Sequence, residues 1–332
     1  MILLTGGAGY IGSHTAVALQ QAGHEVVIVD NLVNSKKSMV DKIGRITNTP
    51  PKFYEINVCD RDSLRTVFEE NDIQAVIHFA SLKAVGESVE KPELYYENNI
   101  GGAETLISVM DEFNVKKIVF SSSACVYGVP EYTPIDEEHP LSATNPYGET
   151  KIAIEELLRA KYAQDSTWEI ALLRYFNPVG AHQSGLIGED PNGIPNNLAP
   201  YICKVITGEF KRVNVFGNDY NTHDGTGVRD YIHVLDLANG HVKALDKLNE
   251  FECRAVNLGT GVGYSVLDVL KAFEKANGIP VPYTISDRRA GDVASCFAKV
   301  DLAKDFMGWK THYDLEQMAQ DHLNFVKGHN NV

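Results

Sequence analysis

A short apolar run at the start of the chain leads directly into a glycine-rich turn. Ile2–Thr5 predicts a buried strand, and the turn Thr5-Gly6-Gly7-Ala8-Gly9-Tyr10-Ile11-Gly12 follows it where a helix begins. Glycine is required where such a turn is tight and where the backbone must approach a pyrophosphate, whose charge the free amides of a helix N-terminus can bind. The order of strand, glycine turn and helix therefore predicts a dinucleotide site at the edge of a parallel sheet.

An acidic residue at the end of the next apolar run strengthens this interpretation. Val26–Asp30 predicts the second strand, and Asp30 lies about 20 residues beyond the turn, as the dinucleotide fingerprint requires. A carboxylate there accepts hydrogen bonds from both ribose hydroxyls and repels a 2′-phosphate, so NAD is favoured over NADP as the cofactor. The alternative is a glycine-rich turn that binds no ligand.

Short apolar runs alternate with amphipathic stretches along the first half of the chain. The predicted strands are Ile2–Thr5, Val26–Asp30, Phe53–Val58, Ala75–Ala80, Ile118–Ser122 and Ile170–Arg174, and the predicted helices include Ser63–Asn71 and Glu93–Asn114. This alternation predicts an α/β fold with a doubly wound parallel sheet of the Rossmann type, covered on both faces. We predict an NAD-binding domain over residues 1–178 and a smaller C-terminal α/β substrate domain over residues 179–332, with some later segments returning to the first domain.

Composition limits the classes of partner. The formal net charge of −14 over 332 residues argues against a phosphate-binding surface spread over the molecule, so no nucleic acid partner is expected. The five cysteines are scattered, odd in number and lack a CxxC pair, so we expect neither disulfides nor a metal site, and a cytoplasmic location. No stretch reaches the roughly 18 apolar residues of a membrane span, and no membrane partner is expected. A few local basic groups must therefore hold any anionic ligand.

Two further motifs carry polar groups that suit catalysis. Ser121, Ser122 and Ser123 end a predicted strand, where ligands of open parallel sheets bind; alternatively, their hydroxyls satisfy local backbone groups. Tyr147 and Lys151, in the stretch NPYGETK, are spaced i, i+4 and share one helix face. That spacing alone is typical of a solvated surface pair. However, the glycine turn, the serines and this pair follow one another in that order along the chain, and the three motifs together favour a shared site.

Together these motifs resemble the extended short-chain dehydrogenase/reductase family. The similarity continues almost to the end of the chain through FASLKAVGES, LLRYFNPVGAH, FGNDYNTHDGTGVRDYIHVLDLANGH and NLGTGVGYSVLDV, and it is greatest to the members that epimerise UDP-sugars at carbon 4. The resemblance implies interconversion of UDP-glucose and UDP-galactose, tightly bound NAD, a UDP-sugar substrate and a homodimer whose interface includes Glu93–Asn114. Transient oxidation to a 4-keto sugar, rotation of this intermediate and return of the hydride would leave no net redox change.

The resemblance also implies residue roles. Tyr147 is the expected base, Lys151 the group that lowers its pKa, and Ser123 the third catalytic residue. Because a tyrosine with a pKa near 10 is almost fully protonated at pH 7, a useful base requires nearby positive charge. The expected cofactor-binding set is Gly6, Gly9, Tyr10, Ile11, Gly12, Asp30, Asn31, Leu32, Val33, Asn34, Ser35, Asn57, Val58, Phe79, Ala80, Ser81, Leu82, Lys83, Asn98, Ser123, Tyr147, Lys151 and Phe176. The expected substrate-binding set is Ser123, Tyr147, Asn177, Asn197, Leu198, Asn214, Val215, Phe216, Arg229, Arg289, Asp292 and Cys296.

Several positions depart from the pattern of the bacterial relatives. Asn57 replaces an aspartate, Ser81 replaces a glycine, and Asn214 and Val215 replace a more apolar pair. Cys296 stands where members restricted to the plain sugars often carry tyrosine and members that accept N-acetylated sugars carry a small residue. The resemblance therefore implies that the chain also interconverts UDP-N-acetylglucosamine and UDP-N-acetylgalactosamine. The alternative is that Cys296 is a small packing residue without effect on specificity.

Two other functions fit the same fold. A nucleotide-sugar 4,6-dehydratase needs an acidic pair after the hydroxyl at the strand end, whereas Ser123 is followed by Ala124 and Cys125. A non-catalytic NAD-sensing protein typically loses the tyrosine or the lysine, whereas this chain keeps both. The residues therefore favour an epimerase over both alternatives.

Overall fold

A computed structural model describes residues 1–191, 193–289 and 291–330. The strands are β1 Ile2–Thr5, β2 Val26–Val29, β3 Lys52–Tyr54, β4 Ala75–His78, β5 Lys117–Ser123, β6 Glu169–Tyr175, β7 Asn177–Val179, β8 Val213–Phe216, β9 Val228–His233, β10 Arg254–Leu258, β11 Gly263–Ser265, β12 Tyr283–Ser286 and β13 Ser295–Cys296. The helices are α1 Tyr10–Gln21, α2 Ser38–Thr47, α3 Arg61–Glu70, α4 Val85–Glu90, α5 Pro92–Tyr95, α6 Gly101–Glu112, α7 Pro146–Gln164, α8 Leu198–Ile206, α9 Val234–Asp246, α10 Val266–Asn277, α11 Asp301–Met307 and α12 Leu315–Asn330.

The described residues form two compact units. Unit 1 comprises Met1–Gly128, Pro140–Tyr175 and Ala238–Val256, and unit 2 comprises Val129–His139, Phe176–Leu237 and Asn257–Val332. The assignment of cofactor binding to residues 1–178 and of substrate binding to residues 179–332 stays a prediction, because a unit defined by contacts is not yet a unit defined by function.

A seven-stranded sheet organises unit 1, in the order β10-β6-β5-β4-β1-β2-β3. Strands β1 to β6 pair in parallel, in the order 3-2-1-4-5-6 that defines the Rossmann fold, which confirms the predicted fold class. Strands β1, β2 and β4 are buried along their whole length, as their continuous apolar character predicts. The predicted third strand was placed too far along the chain, because β3 ends at Tyr54 rather than Val58.

The predicted helix Glu93–Asn114 is not a single α-helix. A four-residue α5 runs into a π-helical turn, Tyr96–Ile100, before α6 begins at Gly101. Leu106 and Met110 on α6 are fully buried in the core of unit 1. The apolar period predicts the buried face correctly, but it cannot detect the extra residue that turns part of the helix into a π-turn.

Unit 2 contains smaller sheets. Strand β9 pairs with β7 and β13 in parallel and with β11 in an antiparallel ladder, and β8 pairs with β12 in parallel. Helices α8, α10 and α12 cover a separate apolar core that includes Ile202, Phe273 and Met318, each fully buried. Helix α10 begins with a capping box, in which the Ser265 and Asp268 side chains bond to each other's backbone amides. None of the described helices combines the length and apolar character that a membrane crossing requires.

Candidate active site

The glycine turn after β1 packs too tightly for larger residues. Gly6 has a φ of +69°, and a Cβ built there would lie 2.7 Å from the backbone nitrogen of Ala80. A Cβ on Gly12 would lie 2.5 Å from the Gly6 carbonyl oxygen. The turn therefore exposes backbone rather than side chains at the N-terminus of α1, a twelve-residue helix. This cradle suits a pyrophosphate.

The Asp30 carboxylate is held beside this turn. Its oxygens accept hydrogen bonds from the amides of Ala8 (3.0 Å) and Leu32 (2.9 Å) and from the hydroxyl of Ser35 (2.7 Å). Asp30 follows β2 directly, so the parallel pairing of β1 and β2 brings the carboxylate and the glycine turn to the same sheet edge. Three of the residues after it, Asn31, Val33 and Asn34, are exposed.

The other predicted cofactor residues of unit 1 follow the carboxyl ends of later strands. Asn57 and Val58 come after β3, and the run from Phe79 to Lys83 follows β4. Asn98 lies on the π-helical turn. Since these strands are parallel and adjacent, unit 1 gathers most of the predicted set along one edge. Phe176, which is buried, belongs to unit 2.

Helix α7 carries Tyr147 and Lys151 and has a well-formed start. The Asn145 side chain caps it by accepting from the Gly148 amide at 2.9 Å, and Pro146 occupies the first helical position. The cap sets the first residue of the helix, so Tyr147 lies within its first turn. Lys151 follows one turn later, on the same face.

The Lys151 amine is buried among groups of β5 and its own helix. The side chain is 2% exposed, and Nζ donates to the Ser121 carbonyl at 2.8 Å. Nζ also lies 5.0 Å from the centre of the Phe120 ring and 5.6 Å from that of Tyr147. Sequence spacing alone left a solvated surface pair open for Tyr147 and Lys151. The burial of Lys151 excludes that arrangement.

Burial shifts the pKa of both groups. It raises the pKa of the half-buried Tyr147 phenol well above its ordinary value, and a hydrogen bond with Ser123 opposes this shift. It lowers the pKa of the Lys151 amine to about 7. Within the chain itself, desolvation of Tyr147 therefore outweighs its hydrogen bond, and the low pKa that a base requires is not supplied by Ser123 alone.

Ser123 also interacts with its own backbone. Its Oγ accepts from the Cys125 amide at 3.2 Å and so begins the short 3₁₀ turn Ala124–Tyr127. The alternative interpretation of the serine motif, in which the hydroxyls satisfy nearby backbone, is thus partly correct for this residue. A hydroxyl oxygen can accept from an amide while it still interacts with the Tyr147 phenol.

The three predicted charged substrate residues meet in unit 2. Arg289 bonds to both oxygens of Asp292, at 3.2 and 3.0 Å, and its guanidinium lies 5.5 Å from the centre of the Phe216 ring. Arg229 lies 3.7 Å from Asp292 and is paired in register with Cys296 of the neighbouring strand β13. Two arginines, one carboxylate and one exposed aromatic ring form a set of groups that suits a nucleoside diphosphate.

The other predicted substrate residues of unit 2 lie on its strands or at the start of α8. Asn177 begins β7, and Asn214 and Val215 lie on β8. Asn197 precedes Leu198 at the start of α8, and its Nδ2 donates to the Glu189 carboxylate at 2.6 Å. That ion-dipole contact ties the start of α8 to the preceding loop.

Sequence reasoning missed a buried amide beside the predicted site. The Asn99 side chain accepts from the Leu82 amide (2.8 Å) and donates to the Leu82 carbonyl and to the Thr150 hydroxyl, both at 3.1 Å. It therefore connects the loop after β4 to the helix that carries Lys151. A second asparagine beside Asn98 was the only available signal, and asparagine pairs are common on exposed loops.

The chain matches the model of the "NAD dependent epimerase/dehydratase family" over residues 2–259. It is 58% identical over 321 residues to a UDP-glucose 4-epimerase of Bacillus subtilis, covering 96% of this chain and 95% of that protein. A crystal structure of the Bifidobacterium longum UDP-glucose 4-epimerase, in complex with NAD⁺ and UDP, is 52% identical, covers 99% of both chains and superimposes with a TM-score of 0.95.

A second solved structure agrees with the first. The Stenotrophomonas maltophila UDP-glucose-4-epimerase, with bound NAD and formylated UDP-arabinopyranose, is 50% identical, covers 99% of this chain and 98% of its own, and has a TM-score of 0.96. The matched model spans the glycine turn, Asp30, Ser123, Tyr147 and Lys151, so the family and the site geometry concern the same residues. The chain belongs to the NAD-dependent epimerase/dehydratase family.

Proposed function

We propose that the chain is a UDP-glucose 4-epimerase that uses NAD. The observation that carries the proposal is the buried Lys151 amine beside Tyr147 at the carboxyl end of β5, the place where ligands of this sheet type bind. Identity above 50% to 4-epimerases along the whole chain supports the same conclusion. The dehydratase alternative is not favoured, because neither Ala124 nor Cys125 can donate a proton as a carboxylic acid does.

The residues present fit NAD. The glycine turn leaves room only for backbone at the N-terminus of α1, and the Asp30 carboxylate lies beside it. When bound, oxidised NAD supplies reversible acceptance of a hydride from carbon 4 and a positive ring charge. The hydrogen bond from Lys151 to the Ser121 carbonyl holds α7, which carries Tyr147, against β5.

Tyr147 moves the proton. Its phenolate oxygen accepts the proton of the sugar 4-hydroxyl as carbon 4 is oxidised to a ketone, and it returns that proton after the sugar has presented its other face. Ser123 donates to the same oxygen and stabilises the phenolate. The protonated Lys151 adds positive charge, which opposes the rise that burial causes in the pKa of Tyr147.

Arg229 and Arg289 bind the diphosphate of the substrate. Both are close to Asp292, so each guanidinium is already oriented before an anion arrives. A planar guanidinium forms two parallel bonds to phosphate oxygens, which holds the UDP portion in one orientation. The exposed Phe216 ring provides an apolar surface beside Arg289 for the uracil ring of the substrate.

A direct assay tests the proposed function. Protein checked by absorbance for co-purified NAD is incubated with UDP-galactose, and the products are separated by chromatography. UDP-glucose is the expected product. A 4-keto-6-deoxy sugar would instead identify a dehydratase, and no conversion with NAD present would contradict both enzymatic functions.

We infer that the protein also epimerises the N-acetylated sugars. Cys296 is a half-buried thiol on β13, in register with Arg229, and a cysteine at this position leaves the volume of a phenol ring free for an acetamido group. Replacing Cys296 with tyrosine is expected to lower kcat/KM for UDP-N-acetylgalactosamine about 100-fold or more, because a buried clash costs several kcal/mol. Activity on UDP-galactose should stay within a few-fold.

The control for this prediction is Cys296→Ser, which keeps the small volume and should keep both activities. Absence of activity on the acetylated pair in the wild-type protein would show that Cys296 is only a packing residue.

The protein is further proposed to be a cytoplasmic homodimer. Val85, Val89, Leu94 and Tyr96 are exposed by 36–62% and lie within twelve residues of α4, α5 and the π-turn. Four large apolar side chains on so short a segment suit contact with a second copy. Sedimentation at micromolar concentration should give a dimer, and Val89→Glu combined with Leu94→Glu should give a monomer. A wild-type monomer would exclude this interface.

A further inference from the structure

A buried carboxylate lies one helical turn beyond Lys151. Glu155 on α7 is 1% exposed, and its Oε1 accepts from the Ser122 hydroxyl at 2.6 Å and from Arg174 Nε at 2.9 Å. Its Oε2 accepts from Arg174 Nη2 at 2.7 Å. The proposed mechanism uses none of these three buried side chains, although Ser122 adjoins Ser123, Glu155 lies one turn from Lys151, and Arg174 pairs in register with Ser122.

The partners of Glu155 come from two neighbouring strands. Ser122 is the penultimate residue of β5, and Arg174 lies opposite it on β6 in the parallel register. Arg174 is 2% exposed, and its Nη1 donates to the Tyr127 hydroxyl at 3.0 Å. The network therefore joins α7 to both strands at the level of the candidate catalytic residues.

Stability alone is a weak reason for such a network. A buried ion pair is often no more stabilising than apolar residues of the same volume, because both charges lose their hydration. Its geometry is directional, however, since two parallel bonds between Arg174 and Glu155 allow only one relative placement of strand and helix. A specific placement is what a base and a hydroxyl on different elements require.

The network completes a regular set of contacts between β5 and α7. Ser123 interacts with Tyr147, the Ser121 carbonyl accepts from Lys151, and the intervening Ser122 bonds to the next turn of the helix. Three consecutive strand residues thus contact three successive turns of one helix face. A shift of the helix along the strand would break all three contacts together.

Glu155 also places a negative charge near the Lys151 amine. Four charged or titratable groups surround that amine: Glu155 and Tyr147 on its own helix, Cys125 after β5 and His78 on β4. Burial lowers the pKa of Lys151, and the charge of Cys125 and then that of Glu155 oppose the shift. Glu155 is itself paired with Arg174, whose Nη2 lies 2.7 Å from its Oε2.

We propose that Glu155 is a positioning residue for the reaction: with Ser122 and Arg174 it fixes α7 against β5, and it places a buried carboxylate one helical turn from Lys151. This role rests on the proposed epimerase function. The proposal predicts two effects that can be measured separately. Substitution of Glu155 tests the effect of its charge on Lys151, and substitution of Ser122 tests the placement of the helix against the strand.

The experiment measures kcat and KM for UDP-galactose across pH, and the free energy of unfolding across the same range. Glu155→Gln removes the charge, so the alkaline limb of the kcat profile should move down by about one pH unit. The pH at which the free energy of unfolding begins to rise should move by the same amount. Ser122→Ala keeps every charge, so it should lower kcat several-fold with both pH values and KM unchanged.

Asp236→Asn is the matched control. Asp236 is a buried carboxylate of unit 2 that accepts from the amides of His312 and Tyr313 at 2.9 and 3.1 Å. Its loss should lower stability without moving the alkaline limb. If Glu155→Gln does not fold, Glu155→Asp replaces it, because aspartate keeps the charge on a shorter side chain. In that variant kcat should fall several-fold while the alkaline limb of the kcat profile stays at the wild-type pH.

The outcomes separate this inference from the proposed function. An inactive wild-type protein would contradict the epimerase function itself. An active wild type with an unmoved limb in Glu155→Gln, or with wild-type kcat in both Glu155→Asp and Ser122→Ala, would overturn the role of Glu155 and leave the epimerase function in place.

Discussion

Tyr147→Phe is expected to lower kcat for UDP-galactose about 1000-fold, because positioned proton transfer contributes roughly 10²–10⁴-fold to catalysis. The substitution removes one oxygen from a half-buried side chain and leaves the ring and its distance to Lys151 unchanged. The substitution leaves the proposed diphosphate-binding residues Arg229 and Arg289 unchanged, so KM should change by less than about threefold. Steady-state kinetics of UDP-glucose formation measure both constants.

Tyr54→Phe is the control for that prediction. Its hydroxyl donates to Glu70 at 2.7 Å on the outermost strand of the sheet, far along the strand order from β5. Loss of this hydroxyl should leave kcat within twofold of the wild type. Equal effects of the two substitutions would show that Tyr147 acts through packing and not as the base.

The stability of the protein should depend on pH through Lys151. Burial lowers its pKa in the folded protein to about 7, whereas its ordinary value is 10.5. Between these values the unfolded chain binds more protons than the folded protein, so the contribution of Lys151 to the free energy of unfolding rises with pH. The charged amine is most costly to bury below pH 7, and this cost disappears as the pH passes 10.5.

Lys151→Met should remove that dependence. The variant has no titrating amine, so its free energy of unfolding should exceed that of the wild type by the largest amount near pH 7. The difference should shrink by roughly 2–5 kcal/mol towards pH 10.5, since each pKa unit corresponds to about 1.4 kcal/mol. Denaturant unfolding at several pH values gives this difference directly.

Lys151→Arg provides a second comparison, because a guanidinium stays charged throughout this range. Its stability should also lack the rise between pH 7 and 10.5. A wild-type curve that runs parallel to both variants would show that Lys151 does not lose its proton in this range.

Much of the fold follows from local patterns. The parallel sheet could be expected because short apolar runs alternate with amphipathic helices, and this alternation allows little besides a parallel sheet. The bounds were less accurate where tertiary contacts override the pattern. Phe53–Val58 is apolar enough for a longer strand, yet only Lys52–Tyr54 has a pairing partner on β2.

Local patterns likewise predict some residues of the candidate site and not others. Gly6, Gly12 and Asp30 are predictable because each meets a local requirement of backbone space or charge beside one turn. Arg229 and Asp292 lie more than sixty residues apart and meet only because β9 and the segment before β13 are neighbours. No local pattern contains that information.

By itself, the sequence determined the fold class, the dinucleotide turn and the residue types of the site, because these depend on neighbours in the chain and on their period. Only the tertiary structure decided that Lys151 is buried and that Glu155 is paired with Ser122 and Arg174. The physical reason is that desolvation and ion pairing depend on which elements pack together. The tyrosine and lysine of NPYGETK become distinct from an exposed helical pair only when β5 covers them.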